Sequence, residues 1–222
     1  MKNVQYRGEL NPKTAAEGIK LAYENALSLL SDAELLFQNG RFERCVSLSI
    51  LAIEESGKST IIRALLLADD SIRLRKEWKN YRKHTEKNLA WILPDLINNG
   101  AKTLEDLKKI FDPKSEHGQI LDDLKQLSFY TDIFSSAKWS SPTKVIDKAL
   151  ATMIFSSAQA IVKIDRVLTT ERELELWVKH LKPVQQMEIN KMKQALTDCY
   201  VEAAALGLIE DWKIPELMRF LK

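Results

Sequence analysis

Three charged residues stand where a helix should be greasy. In the stretch SILAIEESGKST, residues 49–60, Glu54, Glu55 and Lys58 interrupt an otherwise apolar run that resumes as IIRALLLA. On a wheel turning about 100° per residue, they share a sector with Leu51, Ile61, Ile62 and Leu65, while Ser56, Ser59 and Arg63 point away. An unpaired charge on such a face costs several kcal/mol. Glu54 and Lys58 lie i, i+4 with the acid first, the better order for a pair. The group is either an ion pair at the rim of a core or part of a polar site completed by other helices.

A second stretch, WKNYRKHTEKN at residues 78–88, carries a histidine. Trp78, Tyr81, Asn88 and Trp91 form a helical stripe, and His84 lies in it with Lys87 near its edge. Arg82 and Lys83 point outward. A histidine so placed is either a hydrogen-bonded core residue or a general acid/base, since imidazole titrates near neutrality. The basic residues around it form either a solvated face or a phosphate-binding one. A third stretch, KQLSFYTDIFSSAKWSSP at residues 125–142, offers Lys125, Tyr130 and Asp132 in a loop that Trp139 and Pro142 would fix.

Other chemistries find no support. ESGKST echoes the end of a phosphate-binding loop but lacks its first glycine and sits inside a helix rather than after a strand. No HExxH, no GxSxG and no convincing metal-ligand spacing occurs, so neither a metal nor a cofactor is expected. His117 and His180 read as isolated and exposed. The two cysteines, Cys45 and Cys199, have no CxxC spacing, and Cys45 reads as a small core residue.

Composition is that of an ordinary soluble chain. Of 222 residues, 45% are hydrophobic and 29% charged, and 7 glycines and 6 prolines leave room for long helices. A net charge of +2 gives no overall pull towards nucleic acid, so local basic clusters matter more. The polar N-terminus lacks a signal-peptide core, and no uncharged apolar run reaches the length of a membrane span. The expectation is a cytoplasmic protein without membrane contact.

The elements that must position these residues are helices. Asn11–Pro12 starts the first and Asn39–Gly40 stops it. A short turn leads into a second long helix, so the two should form an antiparallel hairpin. Residues 69–75 read as a connection, and a third helix runs from 76 to 93. Thr103 with Asp106 resembles a cap for a short helix. Another helix covers about 116–128, and the aromatic stretch 128–141 reads as a structured loop with no convincing strand. Pro142 opens a further long helix, and Thr170 with Glu173 fits a capping box. A last long helix breaks at Gly207. The fold class is all-α, with residues 1–169 as a bundle and residues 170–222 as a helical extension packed on it or at a dimer interface. The terminal stretch IEDWKIPELMRFLK either folds back or exposes Trp212, Leu217 and Phe220 as a docking patch.

Three segments together resemble the AbiV-type abortive infection family. DAELLFQNGRFERCVSLSILAIEESGKS resembles its opening hairpin, WKNYRKHTEK its aromatic–basic–His segment, and KQLSFYTDIFSSAKWSSP its Lys…Tyr-x-Asp…Trp-x-x-Pro segment. The resemblance covers roughly residues 14–168. It implies bacterial antiphage defence and a HEPN-like antiparallel helical bundle. HEPN proteins are often homodimers, and many are metal-independent ribonucleases. Their common signature is an arginine, a few residues, then a histidine. Here Arg82 stands too close to His84 and Arg75 too far, and Arg172 to His180 is too long.

The combined expectation is one site. Glu54, Glu55 and Lys58 would face His84 and Lys87 of the third helix, with Tyr130 and Asp132 closing from the loop. His84 would be the acid/base, Lys58 and Lys87 would stabilise charge on a phosphate, and Glu55 or Asp132 would orient His84. Glu54, Arg82, Lys125 and Tyr130 would help bind substrate. Two functions are in view: an RNA-cleaving toxin, and a non-catalytic effector or sensor that engages a phage or host protein. A phage-encoded activator or target fits either.

Overall fold

The computed structural model describes residues 4–102, 106, 110, 112, 116–133, 137–163, 169–185, 187–215 and 218. The first helix, α1 (Pro12–Gln38), begins where the sequence says it must. The Asn11 side chain accepts from Thr14 N–H at 2.9 Å, and Thr14 Oγ1 accepts from Asn11 N–H at 3.1 Å. It ends at Gly40, whose φ of +69° suits a residue without Cβ. The chain then reverses into α2 (Phe42–Leu67), and the two helices pack antiparallel. The buried stripe of α1 is Ala15, Ile19, Ala22, Ala26, Leu30 and Ala33. Its four alanines let the two backbones approach closely.

The central helix is α2. It touches α1, α3 (Ser71–Arg82), α4 (His84–Lys87), α6 (His117–Phe129) and α8 (Lys148–Val162). The main core joins Val46, Ile50 and Ile53 of α2 to Leu121 of α6 and to Ile154, Phe155 and Ile161 of α8. Each such side chain contributes about 1.5–3 kcal/mol on burial. The stacked pair Phe37–Phe155, 5.6 Å between ring centres, ties α1 to α8. Because α2 is enclosed on several sides, Ser56 and Ser59 are buried and Arg63 lies over the Trp177 ring. The wheel turns these three away from the apolar sector, but that side of α2 is covered as well.

The third helix also differs. Residues 69–75 are not a connection: the Asp70 carboxylate accepts from the N–H groups of Ile72 and Arg73 and starts α3 at Ser71. Instead of running to residue 93, the helix stops at Lys83, whose backbone is extended. One turn, α4, follows, then a 3-10 turn at Leu89–Ile92 and α5 (Leu93–Asn98). No local signal stops a helix at Lys83, since lysine and arginine are good helix formers. The break is tertiary in origin. The N-terminal segment crosses α3: the Trp78 indole donates to Gly8 O at 3.0 Å, and Tyr6 meets the Trp78 ring edge-on.

Thr103 lies outside the described residues. Where a loop was expected, a two-residue antiparallel pair forms, β1 (Asp132–Ile133) with β2 (Trp139–Ser140). A short helix α7 (Pro142–Val145) precedes α8. Beyond it, α9 (Glu171–Leu181) starts at the Thr170–Glu173 capping box and sends Leu174 into a cluster with Ala15, Ile19, Ile62 and Leu66. On α9 packs α10 (Ile189–Ala205), which ends before Gly207 at φ +68°. Ile209 folds back against Leu176, Cys199 and Ala203, while Trp212 is exposed. Leu217 and Phe220 lie outside the described residues. Among the described residues, no helix is long and apolar enough to cross a membrane. The chain is all-α apart from the small strand pair.

Candidate functional site

Glu54 is the centre. It projects from the middle of α2 and is only 3% exposed. Its Oε2 lies 2.6 Å from His84 Nδ1, and its Oε1 lies 2.5 Å from Lys125 Nζ. Lys87 Nζ stands farther off, 3.7 Å from Oε2. Lys125 also reaches Asp122 Oδ1 at 2.7 Å, one turn back on α6. Buried Glu54, Lys87 and Lys125 with the partly buried Asp122 make two carboxylates and two lysines, so the set balances before His84 is counted. This balance is what makes a buried carboxylate tolerable. Burial pushes the Lys87 ammonium below its ordinary pKa, and the Glu54 charge opposes that shift.

His84 is held differently. Its side chain is 52% exposed while Nδ1 is tied to the buried carboxylate. With Glu54 ionised, Nδ1 carries a proton and donates it, so in the neutral imidazole Nε2 is the nitrogen with the free lone pair. Among the described residues Nε2 has no hydrogen-bond partner.

Two glycines fix this geometry. A Cβ on Gly57 of α2 would lie 2.0 Å from the Lys87 carbonyl oxygen, and one on Gly118 of α6 would lie 2.9 Å from the Thr85 carbonyl oxygen. The turn α4 is therefore seated against the backbones of two helices at points where no side chain fits. A continuous third helix could not bring His84 and Lys87 onto that seat. This accounts for the break at Lys83. Asn88, which ends the turn, is fully buried, and its side-chain polar atoms find no partner among the described residues.

Several expected partners are redistributed. Lys58 pairs with Glu55 at 2.6 Å, not with Glu54, and its ammonium lies over the Tyr81 ring. The carboxylate that orients His84 is Glu54, rather than Glu55 or Asp132. Asp132 and Tyr130 are exposed on the strand pair and its approach, and neither bonds to the Glu54 cluster. The aspartate that α6 does supply is Asp122. Arg82 turns to the N-terminal segment, donating to Tyr6 O at 3.2 Å and to the Gln5 side chain. Lys125 and Lys87 serve as counter-ions to Glu54 and are too buried to meet a phosphate. His117 is buried, with Nε2 3.1 Å from Ile110 O, and His180 pairs with Glu202 at 2.6 Å, so neither is an isolated surface histidine. Asp122 and the two seating glycines were missed. The spacing Asp122–Lys125, i, i+3 on a helix, was the available signal for the first.

Donor atoms of Glu54, His84 and Asp122 lie within 4.8 Å of one another, a set that could ligate a cation. The Lys125 ammonium already lies against both carboxylates there, so a metal would have to displace it.

The HEPN-type family model described as AbiV matches residues 14–163, more than half of the chain. The chain belongs to the AbiV family. It is thus a HEPN-type abortive infection protein. The matched span contains the Glu54 helix, the His84 turn and the Lys125 helix, and it excludes α9 and α10. No curated protein and no solved structure matches it.

Chemically, this arrangement has the form that a histidine general base requires. A buried carboxylate holds one nitrogen of an imidazole whose side chain is half exposed. This division of labour is the one in which an acid–histidine pair activates a hydroxyl.

Proposed function

We propose that this AbiV protein is a metal-independent endoribonuclease whose toxicity stops phage propagation. The observation that carries the reading is the Glu54–His84 pair, with Nδ1 held at 2.6 Å and the His84 side chain half exposed. In RNA, Nε2 of His84 takes the proton of a 2′-hydroxyl as that oxygen attacks the adjacent phosphorus. The 5′-oxygen leaves and takes a proton from solvent. The products are a 2′,3′-cyclic phosphate and a 5′-hydroxyl. Glu54 stabilises the imidazolium that forms, as a buried carboxylate does beside a catalytic histidine. Glu54, Lys87, Lys125 and Asp122 position the base and do not touch the substrate.

A non-catalytic effector would need none of this exposure. If the cluster served only to lock the core, His84 would be as enclosed as Glu54 and Lys125. The test is cleavage of single-stranded RNA by wild type and His84→Ala with a chelator present. Cleavage by wild type that the variant loses, with cyclic phosphate ends, is the expected result. No cleavage by wild type, or equal cleavage by both, contradicts the proposal.

A further inference from the structure

We propose that a basic groove along α3 binds the phosphate backbone of a single-stranded RNA and leads the strand to His84; this rests on the cleavage reading above. The groove has a volume of about 430 Å³ and is lined by Arg7, Arg75, Trp78, Lys79, Arg82 and Lys83. Five of these six are cations and none is an acid, on a chain whose net charge is only +2.

The cations are available. Arg75, Lys79 and Lys83 are exposed and recur every fourth residue, so they form one stripe. At 1.5 Å rise per residue the step is about 6 Å, the scale of one nucleotide. Arg75 donates to Ser71 O, and Arg82 donates to Trp78 O and Tyr6 O. Those acceptors are neutral, so they aim the guanidinium groups without cancelling their charge. Among the described residues, Lys83 is the groove cation with a carboxylate partner, Glu86 at 3.4 Å.

The groove also has direction and a stacking surface. Its floor is the Trp78 indole, and the Tyr6 ring beside it is exposed, a face on which a base can stack. Lys83, at one end, is the residue before His84. A second cleft of about 640 Å³ shares Lys83 and adds Lys76, but Glu86, Asp112 and Glu116 line it too. Its acids outnumber its lysines, whereas the α3 groove has cations alone, so the phosphates favour the path along α3. The surface suits a single strand: the exposed Tyr6 ring offers a face to an unstacked base, while the cations take the backbone.

The experiment uses the full chain and a short fluorescent 2′-O-methyl oligouridylate, which has no 2′-hydroxyl to react and so reports binding alone. Anisotropy is measured against salt for wild type, for Arg75→Glu with Lys79→Glu, and for Lys144→Glu with Lys148→Glu as an exposed control pair on α7 and α8. The groove pair is expected to bind about tenfold more weakly, with a salt slope shallower by about 0.7 for each phosphate that is no longer neutralised. The control pair should bind like wild type. No binding by wild type, an unchanged groove variant, or an equal loss in the control overturns the groove. The groove can fail in this way while His84-dependent cleavage persists. Cleavage can fail while the oligonucleotide still binds along α3, so the two failures are distinct.

Discussion

The carboxylate of Glu54, almost fully buried, holds Nδ1 of the half-exposed His84 at 2.6 Å. Adjacent in sequence, Glu55 takes no part in that bond and pairs with Lys58 nearer the surface. Two neighbouring acids thus have opposite standing, and substitution should separate them. Glu54→Gln leaves Lys125 without its closest counter-charge and is expected to cost about 3–5 kcal/mol. Glu55→Gln breaks a partly exposed pair and should cost no more than about 1 kcal/mol. Thermal denaturation of the two variants checks the contrast, and equal losses would contradict it.

The two lysines at Glu54 should also differ. Lys125 lies against both Glu54 and Asp122, whereas Lys87 stands 3.7 Å off and its charge is disfavoured by burial. Lys125→Met takes the nearest cation from Glu54 and from Asp122 at once and should cost about 3–5 kcal/mol. Lys87→Met removes a buried charge while Lys125 and His84 still serve Glu54, and should cost less than about 1.5 kcal/mol. Urea denaturation midpoints measure both.

Gly57→Ala tests the seat of the His84 turn. In an ordinary helix interior, replacing glycine by alanine stabilises by about 0.5–1 kcal/mol. Here the new Cβ would sit 2.0 Å from the Lys87 carbonyl oxygen, so α4 must move. A destabilisation of about 1–3 kcal/mol is expected, with reduced His84-dependent cleavage. A stabilised and fully active variant would show that the turn is not seated on α2.

The pH dependence should appear at the other end of the chain. Hydrogen bonds from Lys179 and His180 hold the Glu202 carboxyl below its usual range. A lowered carboxylate contributes stability that is complete above its unfolded pKa of about 4.5 and is lost as pH falls through the lower folded value. These bonds join α9 to α10. Amides of residues 189–205 should therefore exchange faster as pH drops below that range, relative to the intrinsic rate. Glu202→Gln should remove this dependence, which hydrogen-exchange mass spectrometry reads directly.

What the sequence made legible was local. The caps at Asn11, Gly40 and Thr170 need only nearby residues, and the structure has them all. The charged residues inside α2 announced a polar site, but the wheel could not choose Glu54 over Glu55. They lie about 100° apart, and the choice depends on which helices surround α2. The stop at Lys83 was invisible because it arises from close approach to Gly57 and Gly118, distant in sequence. Tyr130 and Asp132 drew attention by chemical type, yet the last turns of α6 point Lys125 and Asp122 inward and leave the following residues outside.

The central claim is that His84 is the base of a ribonuclease. Its most direct measurement is cleavage of single-stranded RNA by wild type, His84→Ala and Glu54→Gln in excess chelator, with the new ends identified by mass spectrometry. Expected are 2′,3′-cyclic phosphate ends from wild type, none above background from His84→Ala, and a rate reduced by at least about a hundredfold in Glu54→Gln. RNA left intact by wild type, or cut equally by His84→Ala, would contradict the claim.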